Sequence, residues 1–168
     1  GLRGTIDAQS AAEARAILLE EKSLLAVLER MGWSIALNDL VPFARWFPKN
    51  ERLPRIFDTR FYIADLGTGA VDIAVDAQEN TRLFWTSARD ALAGADRGEI
   101  DVIFPTRRNL ERLAQFDDFG QARDHAQTTP LPTIVPWIEE RPEGRSLCIP
   151  EGCGYPVTSV PLGDAKRG

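Results

Sequence analysis

The stretch from residue 40 to residue 64 constrains the fold most, because it reads as two strands joined by a turn. Residues 40–47 and 57–64 are rich in Val, Phe, Trp, Tyr and Ile, which fit a half-buried pleated surface. Residues 48–54 between them hold two prolines and several charged side chains, which is turn chemistry. The sequence therefore predicts a β-hairpin here.

The predicted hairpin carries an unusual set of charges. Alternation along a strand places Asp58, Arg60 and Tyr62 on one face, and the other face takes Phe57, Thr59, Phe61 and Ile63. Arg45 lies in the first strand. An arginine in an apolar strand needs a carboxylate or a phosphate as partner. Two interpretations stay open: ion pairs of Arg45 or Arg60 with Asp58, or a fork of arginines that grips a diphosphate.

Four regions follow one another along the chain. Residues 10–32 are predicted to be helical, with Ser10 and Ser23 as N-caps and Gly32 as a stop. Residues 40–85 supply the sheet, with further strands at 71–75 and 81–85. Residues 87–127 are mainly helical, with Ser87 and Thr106 as N-caps. The tail, residues 128–168, holds seven of the eleven prolines, so we expect only short extended pieces at 133–139 and 146–149 and no large independent core.

This order predicts an α/β fold in one domain, residues 1–168, with a mixed, mostly antiparallel sheet flanked by helices. A chain of 168 residues with 43% hydrophobic composition can bury a core. The net charge of −5 and the pI near 5.0 argue against a nucleic acid or an anionic membrane as partner. No apolar run has the length of a membrane span. We expect a cytoplasmic protein.

Several pieces of the chain together resemble the Nudix hydrolases, in the branch similar to coenzyme A diphosphatases. The resemblance runs from about residue 23 to about residue 156 and depends on the order and spacing of the pieces. They are an ARW strand, a PR-x-FDTRF strand, an E…W strand and a PT-initiated helix. The matching residues are Ala44, Arg45, Trp46, Pro54, Arg55, Phe57, Asp58, Thr59, Arg60, Phe61, Glu79, Trp85, Pro105, Thr106, Leu110 and Leu113.

The signature box of that family, G-x5-E-x7-R-E-U-x-E-E-x-G-U, is not recognisable in this chain. Its glutamates bind the metals that activate water. The nearest match, residues 16–24, keeps Glu20 and Glu21 but lacks the Arg, the first Glu and the Gly; a solvated turn at the end of a helix is the alternative. The chain starts with Gly1, and its only methionine is Met31. We therefore expect the chain to be truncated, with the box lying upstream of Gly1.

The resemblance implies hydrolysis of a nucleoside diphosphate linked to another group, with Mg²⁺ or Mn²⁺ as cofactor and coenzyme A or another ADP derivative as substrate. It implies that Glu79 is a catalytic acid and metal ligand, against an exposed loop glutamate as the alternative. Arg45, Asp58 and Arg60 are the candidate substrate-binding residues. The alternatives are a non-catalytic module that binds a nucleotide or a protein, and a structural fragment. An exposed apolar sheet edge would favour a homodimer.

The remaining predictions concern packing and thiols. The large aromatic side chains are expected in the core, although one could stack on an adenine; they are Phe43, Trp46, Phe57, Phe61 and Trp85. His125 is expected at the surface of a charged helix. Cys148 and Cys153 are expected as free thiols, with a disulfide as the alternative.

Overall fold

The computed structural model describes residues 2–49, 56–67 and 84–166. Within this part of the chain the fold is mixed α/β, with mostly antiparallel sheets and accompanying helices, as the sequence predicts. The helices are Ala8–Glu21 (α1), Leu24–Met31 (α2), Ala88–Asp96 (α3), Phe104–Leu113 (α4) and Phe119–Thr128 (α5). The strands are Leu2–Arg3 (β1), Ser34–Ile35 (β2), Val41–Trp46 (β3), Thr59–Ile63 (β4), Thr133–Ile134 (β5), Trp137–Arg141 (β6), Gly144–Cys148 (β7) and Ser159–Pro161 (β8).

The described residues form two compact units, 2–40 with 64–67, and 41–49 with 56–63 and 84–166. The first unit is the helical hairpin α1–α2, with β1 and β2 paired antiparallel. A small core of Ala14, Ile17, Val27 and Trp33 holds it together. Ser23 caps α2, and Gly32 ends it with φ 63°, as predicted. The N-cap of α1 is Asp7 rather than Ser10, because Ser10 occupies the third helical position and closes a capping box with Asp7.

The second unit contains two three-stranded sheets. In the first, β3 lies between β4, which is antiparallel to it, and β5, which is parallel. The second has the order β6-β7-β8 and is antiparallel throughout. The predicted hairpin is confirmed as the β3–β4 pair. The sheet expected for residues 40–85 is thus seen as β3 and β4, while the strand predicted at 71–75 and most of that at 81–85 lie outside the described residues.

The core of the second unit forms where β3, α4 and the tail pack together. Its buried members are Phe43, Ala44, Trp46, Phe104, Ala126, Ile134, Ile149, Cys153 and Tyr155. Phe61 packs against this core, but two aromatic predictions were wrong: Phe57 is 64% exposed and Trp85 is 69% exposed. Both precede a regular element, where the alternation of a strand does not apply. The tail contributes Ile134, Ile149 and Tyr155 to this shared core.

The helices of the second unit are α3, α4 and α5, and their starts follow the predictions only in part. Ser87 caps α3 by accepting from the amide of Asp90 at 3.0 Å. Thr106, however, lies inside α4, which begins at Phe104 without a side-chain cap. The reason is Pro105, whose fixed φ favours the first helical turn and lets the helix begin before the threonine. None of the helices that the structure describes is long and apolar enough to cross a membrane.

Candidate functional site

The exposed face of the β3–β4 hairpin brings two arginines together. Arg45 on β3 and Arg60 on β4 are directly opposite each other in the register. Like charges at such a position repel, so the pairing needs a counter-charge. Alternation along β4 leaves Arg60 and Tyr62 exposed, while Phe61 and Ile63 pack towards the core. The two faces predicted for this strand are therefore confirmed at these four positions.

Asp58 supplies the counter-charge. Arg45 donates to it with two nitrogens, Nε to Oδ1 at 2.8 Å and Nη2 to Oδ2 at 2.7 Å. This is the bidentate arrangement in which an arginine fork matches a carboxylate. Arg60 lies farther away, with Nη2 at 3.7 Å from Asp58 Oδ2. The structure thus brings together the three residues that the sequence singled out, and it contains both of the predicted ion pairs.

The electrostatics of this cluster, Arg45–Asp58–Arg60, follow from that geometry. The hydrogen bonds from Arg45 lower the pKa of the Asp58 carboxyl below its ordinary value, and the charges of Arg45 and Arg60 add to the effect. The same hydrogen bonds raise the pKa of Arg45. Asp58 is therefore ionised at neutral pH, and the cluster carries two positive charges against one negative charge. Because the Arg60 side chain is 56% exposed, the surplus positive charge faces solvent.

The described residues do not fit the metal that the resemblance implies. Within the described ranges, no group of three His, Cys, Asp or Glu residues is close enough to hold a metal ion. Glu20 and Glu21 end α1. Glu21 forms an ion pair with Arg30 of α2, so its negative charge is balanced within the helical hairpin. Glu79, the predicted catalytic acid, lies outside the described residues.

A buried hydrogen-bond chain, which the sequence reasoning missed, lies under the opposite face of β3. Trp46 Nε1 donates to the hydroxyl of Tyr155 at 3.0 Å, and that hydroxyl donates to Asn109 Oδ1 at 3.0 Å. The three residues come from β3, the tail and α4. Trp46 follows Arg45 in sequence and points to the opposite face of the sheet. This hydrogen-bond chain therefore anchors the strand that carries Arg45.

Arg112 of α4 is also buried in this region. It is 1% exposed, and its Nη1 donates to the carbonyl oxygen of Phe43 at 2.6 Å. The β-bulge between Pro42 and Ala44 leaves Phe43 outside the ladder, which frees that carbonyl. The guanidinium lies over the rings of Phe43 at 4.2 Å and Tyr155 at 5.5 Å. Burial lowers the pKa of Arg112.

A second buried arginine lies one turn earlier on the same helix. Arg108 donates to Glu111 at 2.6 Å and lies over the ring of Phe104. Burial raises the pKa of Glu111, although the charges of Arg108 and Arg107 oppose that rise. The sequence does contain a signal for the burial of these arginines. Residues four apart lie on one helix face, and this spacing joins Phe104, Arg108 and Arg112. The apolar Phe104 marks that face as the buried one.

No protein-family model, curated protein or solved structure matches this chain at a significant level.

Proposed function

We propose that this chain is the substrate-binding part of a Nudix-type hydrolase, and that its β3–β4 hairpin holds the diphosphate of a nucleoside diphosphate derivative, such as coenzyme A or another ADP derivative. The observation that carries the proposal is the cluster Arg45–Asp58–Arg60, with its surplus positive charge on an exposed strand face. A phosphate group presents several acceptor oxygens, which suit the donors of a guanidinium.

The two arginines have different roles in this proposal. Asp58 engages two nitrogens of Arg45, so Arg45 fixes the cluster and contributes mainly its charge. Arg60 is held only at 3.7 Å from Asp58 and is more exposed, at 56% against 40% for the Arg45 side chain. Its donors can therefore turn to an incoming phosphate without breaking a short hydrogen bond. Arg60 is the principal phosphate-binding residue of the proposal.

Hydrolysis itself is not assigned to the described residues. The resemblance gives that step to Mg²⁺ or Mn²⁺ and to acidic ligands, with Glu79 as one of them, and the described residues supply no such group. We therefore expect no appreciable hydrolysis of coenzyme A by this chain alone. Cys148 and Cys153 are free thiols, which supports a reducing compartment and thus a cytoplasmic location.

The second candidate is a non-catalytic module that binds a nucleotide or a protein. The observation that favours it is that every candidate residue the structure describes, Arg45, Asp58 and Arg60, is a binding group on an exposed face. A hydrolysis assay can exclude the second candidate. Turnover of coenzyme A by the purified chain in Mn²⁺ would place the metal ligands within these 168 residues. Nucleotide binding without turnover fits either a module or a substrate-binding part.

The binding proposal is tested by titrating the purified chain with ADP in a calorimeter, in low salt and without divalent metal. A charge-assisted hydrogen bond is worth more than a neutral one, so Arg60→Gln is expected to weaken ADP binding about 10- to 100-fold. Arg97→Gln is the matched control, because Arg97 has a similar exposure of 59% and also pairs with a carboxylate, that of Glu99. Equal affinity of the two variants for ADP would refute the assignment of the site.

A further inference from the structure

The only histidine of the chain, His125, lies beneath the β7–β8 loop, residues 149–158. Its ring packs against Phe116, with 4.8 Å between centroids, and the residue is half-buried, whereas the sequence predicts a surface position. Its Nε2 is buried and makes no hydrogen bond within the described residues. A Cβ atom built on Gly154 would lie 2.5 Å from His125 Nε2 and 2.9 Å from Arg112 Nε. The backbone of the loop therefore closes directly over both side chains.

Gly154 permits this close approach. It has φ +82°, a region that other residues rarely adopt, and it has no side chain to collide with the imidazole. Gln115 of the α4–α5 connection holds the loop in place by donating to the carbonyl oxygen of Gly154 at 3.1 Å. The docked loop also places Tyr155 in the hydrogen-bond chain to Trp46. Docking of the loop is thus coupled to the packing of β3.

Among the described residues, no negatively charged group faces His125. From α4 it faces Arg112, which is buried and has no carboxylate within ion-pair distance among the described residues. From the loop come Cys153 and Tyr155, whose pKa values are raised by burial, so both stay neutral near pH 7. Glu151 is exposed, and only its backbone carbonyl takes part, by accepting from the Cys153 thiol. On α5 itself, Asp124 is exposed and pairs with Arg123. A proton on His125 would be a second buried positive charge beside Arg112.

We propose that the β7–β8 loop is a pH-sensitive latch: it stays docked while His125 is neutral, and protonation of His125 beside Arg112 releases it. A charged imidazole would need a hydrogen-bond acceptor or water at Nε2, where the docked loop admits neither. Release of the loop exposes the imidazole to solvent, where water can accept a hydrogen bond from Nε2. The same movement withdraws Tyr155 from Trp46, so the latch would transmit acidification to the strand that carries Arg45.

The direction of the pH dependence follows from linkage. Burial, and secondarily the charge of Arg112, lower the pKa of His125 below its ordinary value of 6.5. Well above pH 6.5 both the docked and the released loop have a neutral His125, so docking is not affected by pH. As pH falls below 6.5, the released form gains the proton first, and the docking equilibrium shifts by up to tenfold per pH unit. The shift ends once the pH is below the lowered pKa of the docked form.

Hydrogen exchange of the whole chain tests the latch. We expect the protection factors of the loop amides, corrected for intrinsic exchange, to fall up to about fivefold between about pH 6.5 and about pH 5.5. The helices α1 and α2 of the first unit are the internal reference and should keep their protection. His125→Gln keeps a neutral polar side chain, so its loop protection should not depend on pH in this range. An equal fall in wild type and variant, or no fall in wild type, would overturn the proposal.

A measurement on the wild-type chain alone covers the case in which the variant does not fold. With one histidine, the imidazole resonance in an NMR titration needs no assignment by mutagenesis. A midpoint clearly below pH 6.5 is the expected result. A midpoint at or above pH 6.5 would mean that the docked loop does not oppose protonation, and it would exclude the latch.

Discussion

Replacing Tyr155 by Phe tests whether the tail anchors strand β3. The substitution keeps the ring and removes only the hydroxyl, which accepts from Trp46 Nε1 and donates to Asn109 Oδ1, each at 3.0 Å. Trp46 is 1% exposed, Asn109 6% and Tyr155 9%, so water cannot readily replace the lost partner. A buried hydrogen bond contributes about 1–1.5 kcal/mol net, and two are lost. We expect the free energy of unfolding to fall by about 2–3 kcal/mol.

Urea denaturation followed by circular dichroism measures this change, with the slope of the transition checked for two-state behaviour. The chain contains a matched control in Tyr62, a tyrosine on β4 that is 50% exposed. Tyr62→Phe removes the same atom from the surface and should change the unfolding free energy by less than about 0.5 kcal/mol. If the two variants lose the same unfolding free energy, the hydrogen-bond chain of Trp46, Tyr155 and Asn109 does not anchor β3.

Three further predictions concern single positions. Gly154→Ala should lower the unfolding free energy by at least about 2 kcal/mol. An L-residue is strained at φ +82°, and its Cβ would lie 2.5 Å from His125 Nε2. Calorimetry measures the change, and an unchanged unfolding midpoint would contradict the close approach. In urea denaturation, Ser87→Ala should lower the unfolding free energy by about 1 kcal/mol, because it removes an N-cap. Thr106→Ala, inside its helix, should lower it by less than about 0.5 kcal/mol. The reverse order would mean that Thr106 is the N-cap after all. Asp58→Asn should tighten ADP binding, measured calorimetrically, because it removes a carboxylate that competes with the phosphates for the arginines. Weaker binding would mean that Asp58 itself contributes to ligand binding.

The β3–β4 hairpin could be predicted from the sequence because its signals are local. Alternation, β-branched and aromatic residues, and a proline-bounded turn all act within a few residues. The pairing of Asp58 with both arginines followed from the same local argument, since an arginine in an apolar strand needs a counter-charge. What the pattern could not give is the role of Phe57, which stands just before β4 and is exposed. Propensity describes the strand interior better than its ends.

The buried polar chain could not be predicted in the same way, because its members are far apart in sequence. Trp46 and Tyr155 are separated by 109 positions, and no local pattern reports a contact at that distance. The proline-rich composition of the tail indicated extended segments correctly, but it concealed the contribution of Ile134 and Ile149 to the core. His125 was assigned to the surface because its neighbours Arg123 and Asp124 are charged, whereas the helix turns the imidazole towards Arg112.

The two faces of β3 connect the binding proposal with the packing of the tail. Arg45 and Trp46 are consecutive residues, so their side chains point to opposite faces of the sheet. Trp46 is fixed by Tyr155, and Arg45 is fixed by Asp58. We therefore expect loss of the Tyr155 anchor to loosen the strand that places Arg45 opposite Arg60. On this expectation the arrangement of the exposed arginines depends on a residue from the far end of the chain, although that residue contributes no charge to the site.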